Sequence, residues 1–234
     1  VILRGLALER DSHATDVVTT ATSQGNLRTV EYEYNSDNPS YQWPGLKHIL
    51  NLLTKKTTTE NNQKRQEEYG YGYGEKCIPY LSEVTTTINN DPSQTTYKVK
   101  SAGYNGKPVE IEEQGVTSLL LWGYGGQRII AKIVNASLER LYELPGFGSF
   151  DYEDNWESAY AKIESIRQQL PSSQFFVYTY DNRLKLQSIA NPNGVTEFFN
   201  YDFLGRLIER YYTERTENGW QKRLLNRYDY NYSL

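Results

Sequence analysis

The sequence predicts a mainly β protein, an antiparallel meander of stacked β-hairpins with one amphipathic helix inserted around residues 154–170. Tyrosine is abundant, with 21 copies in 234 residues, and threonine occurs in runs at 57–59 and 85–87. Both side chains favour the pleated surface of a strand. Short alternating segments are separated by turn sequences such as Asn-Gly and Asp-Pro. Only between 154 and 170 do apolar residues recur every three or four positions, which is the spacing of one helix face.

Residues 1–94 are predicted to form a strand-rich N-terminal part of the sheet. The clearest strand is Leu27–Tyr34, because its valine and tyrosines alternate with glutamates. The segment His48–Thr59 is ambiguous, since its apolar start fits a helix and its threonine run favours a strand. The other predicted strands in this part are Val17–Thr22, Lys64–Tyr73 and Leu81–Ile88.

Residues 95–234 are predicted to form further hairpins around a helical insertion at 136–170, and both parts together to form one continuous domain. Asp154 and Glu157 have the spacing of a capping box, and Pro171 ends the helix. A shorter helix is predicted at Ser137–Leu144. The predicted strands are Thr95–Ala102, Lys107–Glu113, Val116–Trp122, Arg128–Val134, Phe175–Tyr180, Leu184–Ile189, Val195–Tyr201, Leu207–Thr213 and Lys222–Tyr230.

A Tyr-Asp pair recurs along the second part of the chain. Tyr180-Asp181 and Tyr201-Asp202 lie 21 residues apart, which is room for one hairpin unit, and Tyr228-Asp229 follows 27 residues later. We expect each tyrosine to pack on its neighbour in the next hairpin and Asp202 to accept hydrogen bonds from backbone amides of its turn. Gly205 is expected to supply a positive φ, and Leu207 to begin the return strand.

The residues 201–207, Tyr-Asp-Phe-Leu-Gly-Arg-Leu, resemble the Tyr-Asp repeat of the bacterial RHS/YD-repeat family. Residues 121–127, 130–133 and 135–136 resemble the segment that precedes a helical insertion in a secreted subgroup of that family. The resemblance continues through 170–171, 178–180 and 191–196, and it covers roughly residues 95–232. In one departure, Lys185 stands where the family often has a turn glycine.

This resemblance implies a non-catalytic structural segment of a secreted or cell-surface protein, located outside the cell or in the bacterial cell envelope. Full-length relatives spiral such hairpins into a shell, so the implied partners are the rest of an RHS-like polypeptide or its cargo. The resemblance implies a truncated member, because the sequence lacks the C-terminal core segment and toxin of the family. The residues given a structural role in the repeat are Tyr180, Asp181, Tyr201, Asp202, Gly205, Arg206, Leu207, Tyr228 and Asp229.

The alternative function is a carbohydrate- or surface-binding module that would stack polysaccharide or a partner surface on exposed aromatic rings. The candidate aromatic binding residues are Trp43, Trp122, Tyr124 and Trp220. The competing structural interpretation, which we favour, is that these rings stack on one another between hairpins. The repeat already requires tyrosines at such positions.

Little in the sequence indicates catalysis, metal or a cofactor. His13, His48 and Cys77 have no metal-site or dyad spacing, so no cofactor is expected. A glycan-processing enzyme is a third hypothesis, because such enzymes use paired carboxylates. The carboxylate clusters that could serve it are Asp151, Glu153 and Asp154, and Glu110, Glu112 and Glu113. A net charge of −4 gives no reason to expect nucleic acid, and no apolar run is long enough to span a membrane.

Overall fold

The computed structural model describes residues 16–21, 27–34, 52–73, 79–103, 106–145, 156–217 and 219–230. Within these ranges the fold is mainly β and antiparallel, with two helices between the ninth and tenth strands. The predicted fold class is therefore confirmed. The strands are β1 (Asp16–Ala21), β2 (Leu27–Tyr34), β3 (Leu53–Glu60), β4 (Gln63–Tyr73), β5 (Pro79–Ile88), β6 (Gln94–Ala102), β7 (Pro108–Glu113), β8 (Val116–Gly123), β9 (Arg128–Val134), β10 (Gln174–Tyr180), β11 (Leu186–Ala190), β12 (Thr196–Tyr201), β13 (Leu207–Thr216) and β14 (Gly219–Arg227). The helices are α1 (Leu138–Tyr142) and α2 (Trp156–Gln169).

The chain forms two compact units, Val1–Gly115 and Val116–Leu234. The first unit contains β1 to β7, and the second contains β8 to β14 together with both helices. The boundary predicted between residues 94 and 95 falls at the start of β6, inside the first unit.

In the first unit each strand pairs with the next one in sequence, always antiparallel. The ambiguity over His48–Thr59 is settled for its second half, because residues 53–60 form β3. Charge complementarity accompanies this pairing. Lys55 of β3 lies between Glu33 of β2 and Glu68 of β4, at 3.8 and 3.9 Å. A lysine on the central strand thus faces a glutamate on each neighbouring strand.

In the second unit the strands also pair in sequence order, and a hydrophobic cluster lies between β8, β9, β10 and the helices. Its buried members are Leu119, Leu121, Ile130, Ala131, Ile133, Ala136, Leu141, Ala159, Ile163, Ile166, Leu170 and Phe175. Each fully buried leucine or isoleucine contributes about 1.5–3 kcal/mol. This cluster is the main core of the unit.

Both predicted helices form with slightly shorter bounds. The Ser137 hydroxyl accepts a hydrogen bond from the Arg140 N–H and caps α1. In α2 the predicted apolar stripe is borne out, because Ile163, Ile166 and Leu170 are buried. The proposed capping residue Asp154 lies outside the described residues. Neither helix, within the described ranges, has the length and apolarity that crossing a membrane requires.

Most strands differ from their predicted bounds by one to three residues, and two of these differences have a local cause. The strand predicted from Leu184 begins at Leu186, because Leu184 occupies a left-handed turn position with φ +58°. The last strand begins at Gly219 rather than Lys222, since the tight turn pairs Thr216 directly with Gly219.

Candidate functional site

Four hairpin turns in the described residues share one hydrogen-bond pattern. In each turn the first residue donates its N–H to the fifth residue's carbonyl, and the fourth donates its N–H to the first residue's carbonyl. The fourth residue always has a positive φ, as in a three-residue hairpin loop with a bulge. The turns span 103–107, 181–185, 191–195 and 202–206. The left-handed residues are Gly106, Leu184, Gly194 and Gly205, with φ of +76°, +58°, +82° and +84°.

The aspartate of the Tyr-Asp pair organises its turn. The Asp202 carboxylate accepts hydrogen bonds from the Arg206 N–H at 2.8 Å and from the Arg206 guanidinium at 2.7 Å. Asp181 accepts from the N–H groups of Arg183 and Lys185, at 2.9 and 2.8 Å. The Lys185 N–H lowers the pKa of Asp181. Burial alone would raise the pKa of Asp202, but the bonds from Arg206 hold it below its usual value. Asp202 thus accepts hydrogen bonds from the turn in which Gly205 has a φ of +84°.

A β-bulge lies beside the tyrosine of each of the first two Tyr-Asp pairs. Tyr180 faces Leu186 and Tyr201 faces Leu207, and in both cases the ladder skips one residue of the second strand. Four other hairpins have the same arrangement, with an aromatic residue opposite leucine or isoleucine. These further pairs are Tyr34 with Leu53, Tyr71 with Leu81, Trp122 with Ile129, and Tyr211 with Leu224. The bulges between β5 and β6 and between β6 and β7 lack such a pair.

The tyrosine hydroxyls join consecutive hairpins. Each one donates a hydrogen bond to the carbonyl of the leucine or isoleucine at the bulge of the preceding hairpin. The pairs are Tyr71 to Leu53 (2.8 Å), Tyr180 to Ile129 (2.7 Å), Tyr201 to Leu186 (2.9 Å) and Tyr230 to Leu207 (2.8 Å). We call this set of four bonds the tyrosine clamp. A bulge disrupts the ladder locally, and the clamp supplies the carbonyl beside it with a partner.

Cations and rings reinforce the clamp. The Lys185 ammonium lies 5.4 Å from the ring centre of Tyr201, and the Arg206 guanidinium 4.4 Å from that of Tyr230. Each contact of this kind is worth roughly 0.5–1 kcal/mol at an exposed site. Burial raises the pKa of Tyr180 to about 12. Burial and the nearby Asp181 charge raise the pKa of Tyr201. The hydroxyls of Tyr180 and Tyr201 therefore stay protonated as donors at neutral pH.

The tyrosine of the third Tyr-Asp pair, Tyr228, does not form the clamp bond to the Leu207 carbonyl. Tyr228 is 41% exposed, and its N–H donates to the Ile208 carbonyl. Because this bond still holds Tyr228 beside β13, the side chain that reaches Leu207 is that of Tyr230, two residues later. Asp229 is exposed and lies 3.6 Å from the Arg227 guanidinium.

In the hairpin after Tyr180, the position equivalent to the turn glycine is residue 184 and not residue 185, where it was predicted. Leu184, rather than Lys185, is the equivalent of Gly205, since both come four residues after the motif tyrosine and both have positive φ. The turn nevertheless keeps the same hydrogen bonds as its glycine-containing neighbour. The Asp181 carboxylate and the Arg128 guanidinium, which donates to the Leu184 carbonyl at 3.1 Å, fix this turn without glycine.

The three candidate aromatic binding residues that the structure describes differ in their exposure. Trp122 is half-buried at its bulge. Tyr124 packs on the hydrophobic cluster and edge-on against Tyr180, with ring centres 5.5 Å apart. Trp220 on β14 is 72% exposed. Trp43 lies outside the described residues.

Of the candidate catalytic and metal-binding residues, the structure describes Glu110, Glu112 and Glu113. Glu110 is buried on β7 and forms an ion pair with Lys100 at 3.3 Å. Its neighbours Glu112 and Glu113 are half-buried on the same strand. Within the described ranges no three His, Cys, Asp or Glu side chains come together as metal ligands. The remaining candidates, which lie outside these ranges, are His13, His48, Cys77, Asp151, Glu153 and Asp154.

Neither a protein-family model nor a curated protein matches the chain. Among solved structures, similarity is found to a mutant of the Photorhabdus luminescens Tc holotoxin pore, with 12% identity and a TM-score of 0.36, over 90% of this chain and 11% of that chain. TcdB2-TccC3-Cdc42 gives 14% identity and a TM-score of 0.36, over 91% of this chain and 12% of that one. TcdB2-TccC3-TEV gives 13% identity and a TM-score of 0.35, over 91% and 12%. The chain thus spans about one-eighth of these structures or less.

Proposed function

We propose that this chain is a non-catalytic structural segment of a secreted or cell-surface YD-repeat-like protein, in which its hairpins form part of a wall or scaffold. The observation that carries the proposal is the tyrosine clamp. The same hydroxyl-to-carbonyl bond recurs in the Tyr-Asp hairpins and again in the first unit, between Tyr71 and Leu53.

The tyrosine clamp supports a scaffold because its hydroxyls bond the preceding hairpin, while the neighbouring aspartates hold their own turns. The hydroxyls of Tyr180 and Tyr201 bond backbone carbonyls, and the carboxylates of Asp181 and Asp202 bond the amides of their own turns. Each hairpin alone would be marginal, so the contacts between neighbours contribute the stability. Residues with these roles are not available for turnover of a substrate.

The proposed partners follow from the resemblance of residues 201–207 to the Tyr-Asp repeat. They are the rest of such a polypeptide or a polypeptide cargo that it surrounds, outside the cell or in the cell envelope. A test is electron cryo-microscopy of the complete natural protein, combined with limited proteolysis. We expect the clamped hairpins to pair laterally with further hairpins and to shield the enclosed segment from protease. An isolated domain with no such neighbours, or with measurable glycan turnover, would refute the proposal.

A carbohydrate- or surface-binding module is the second candidate, favoured by one observation, the 72% exposure of Trp220. Tryptophan fluorescence during titration with bacterial polysaccharides tests it. A saturable change that Trp220→Ala abolishes would support this candidate, and an unchanged spectrum would exclude it for the polysaccharides used.

A further inference from the structure

Behind each of the four bonds of the tyrosine clamp, a gap opens between the two strands that the bond joins. The ladder of each strand pair starts two residues after the leucine or isoleucine whose carbonyl is bonded, and it ends three residues before the tyrosine. The last ladder pairs are Lys55 with Glu68, Ala131 with Val177, Ser188 with Phe198, and Glu209 with Arg227. Each gap is thus bounded by the ladder at one end and by a tyrosine hydroxyl at the other, and we call it a clamp gap.

The clamp gap between β9 and β10 receives a tyrosine from helix α2. Tyr160 packs on the hydrophobic cluster, and its hydroxyl donates a hydrogen bond to the carbonyl of Tyr178, two residues before the clamp tyrosine Tyr180. Burial raises the pKa of Tyr160, and the neighbouring Tyr124 raises it further, so the hydroxyl stays protonated as a donor. The fold therefore already supplies one clamp gap with a phenol that bonds the backbone.

The clamp gap between β11 and β12 is instead an open cavity of about 380 Å³. Phe199 lines it and holds the position that Tyr178 has in the other gap, two residues before the clamp tyrosine. Among the described residues, no side chain takes the role of Tyr160 at the Phe199 carbonyl. The charged residues that line the cavity are two carboxylates and two cations, so that their net charge is zero: Asp181, Asp202, Arg183 and Lys185.

We infer that this open gap binds a tyrosine side chain of a partner polypeptide, whose hydroxyl donates to the Phe199 carbonyl as Tyr160 donates to the Tyr178 carbonyl. The cavity volume lies within the range of about 300–1,000 Å³ that is usual for ligand pockets. A lining without net charge suits an uncharged phenol, which can bury its ring while its hydroxyl finds an acceptor. The Lys185 ammonium, which lies 5.4 Å from the ring centre of Tyr201, is placed to contact a second ring.

The inference goes beyond the scaffold proposal, because hairpins can form a wall whether or not this gap is occupied. Its test is a titration of the whole chain, followed by two-dimensional ¹H–¹⁵N NMR, with a blocked pentapeptide that has one central tyrosine between glycines. We expect saturable shifts at the amides of residues 185–187 and 199–202, which surround the cavity. The same peptide with phenylalanine in place of tyrosine should bind about fivefold more weakly, because it lacks the hydroxyl that forms the hydrogen bond.

Two variants locate the site. Gln187 is exposed and lines the cavity, so the larger side chain in Gln187→Trp should obstruct the gap and weaken binding about tenfold. Gln174→Trp is the matched control, because it adds the same side chain at an exposed position of β10 outside the cavity, and it should bind as the natural chain does.

Four results would contradict the inference. Equal affinity for the tyrosine and phenylalanine peptides would overturn the hydroxyl contact, and equal losses in the two tryptophan variants would overturn the site. Shifts of the same amides by a neutral oligosaccharide, but not by the tyrosine peptide, would overturn tyrosine as the occupant. No saturable shift with any probe would overturn the inference altogether. All four would leave the scaffold proposal standing, since that proposal is tested by lateral pairing of hairpins in the complete protein.

Discussion

Removing one clamp hydroxyl tests the principle on which the scaffold depends. In Tyr201→Phe the ring is retained, so its contact with the Lys185 ammonium is preserved. What disappears is the hydrogen bond to the Leu186 carbonyl, at 2.9 Å. The net contribution of such a bond is about 0.5–1.5 kcal/mol, and a carbonyl left without a partner adds to the loss. We expect β11 to be destabilised locally by about 1 kcal/mol.

Hydrogen exchange measured by mass spectrometry reports this loss directly. A cost of about 1 kcal/mol increases the opening equilibrium about fivefold, so amides of β11 and β12 should exchange about five times faster. Peptides that cover the first unit act as an internal reference, because its clamp through Tyr71 is unchanged.

Tyr211→Phe is the matched control. Its ring stacks on Phe198 with centres 5.3 Å apart, and its hydroxyl has no hydrogen-bond partner within the described residues. Its exchange rates should therefore change less than twofold, since surface changes of this kind usually cost under about 0.5 kcal/mol. Similar acceleration in both variants would show that the hydroxyl bond contributes nothing, and the clamp would lose its place as the link between hairpins.

Three further outcomes are expected. The pKa values of Tyr69 and Tyr180 are raised to about 12 from 10.0, so the protonated hydroxyls stabilise the fold fully below pH 10 and lose this effect as the pH rises through 12. The urea midpoint should therefore fall between pH 10 and pH 12, and it should fall less steeply in Tyr180→Phe. Gly205→Ala should lower the free energy of unfolding measured with urea by about 1–3 kcal/mol because the residue has a positive φ, whereas Gly70→Ala, with room for a Cβ and no positive φ, should be neutral. Asp202→Asn should make the stability less sensitive to acid. The lowered pKa of Asp202 gives stability that is present above its unfolded value of 3.8 and is lost as the pH falls through the folded value. A stability that falls more steeply with acid in Asp202→Asn than in the natural chain would contradict this.

Much of the fold is predictable from local sequence. The helix α2, the strand β2 and the turn at Gly205 each depend on periodicity or on one residue's conformational preference, so short windows suffice. The error at Leu184 is also local. A leucine with positive φ is disfavoured by itself, and it is held by bonds from Asp181 and Arg128 that depend on the assembled hairpins.

The clamp could not be read from the sequence, because it depends on register between strands. Leu186 comes six positions after Tyr180, and Leu207 six positions after Tyr201. Leu81 comes ten positions after Tyr71, and Leu53 nineteen positions after Tyr34. Because the connection varies in length and the first-unit tyrosines lack a following aspartate, no periodicity in the sequence marks these pairs.

What the clamped hairpins share is therefore the geometry at the bulge rather than the Tyr-Asp dipeptide. An aromatic residue opposite leucine or isoleucine fixes the bulge, and the hydroxyl of the next hairpin closes it. The dipeptide identifies only those hairpins whose turn is short enough for aspartate to cap it. Turn residues can then change, as at Leu184, while the contact between neighbouring hairpins is retained.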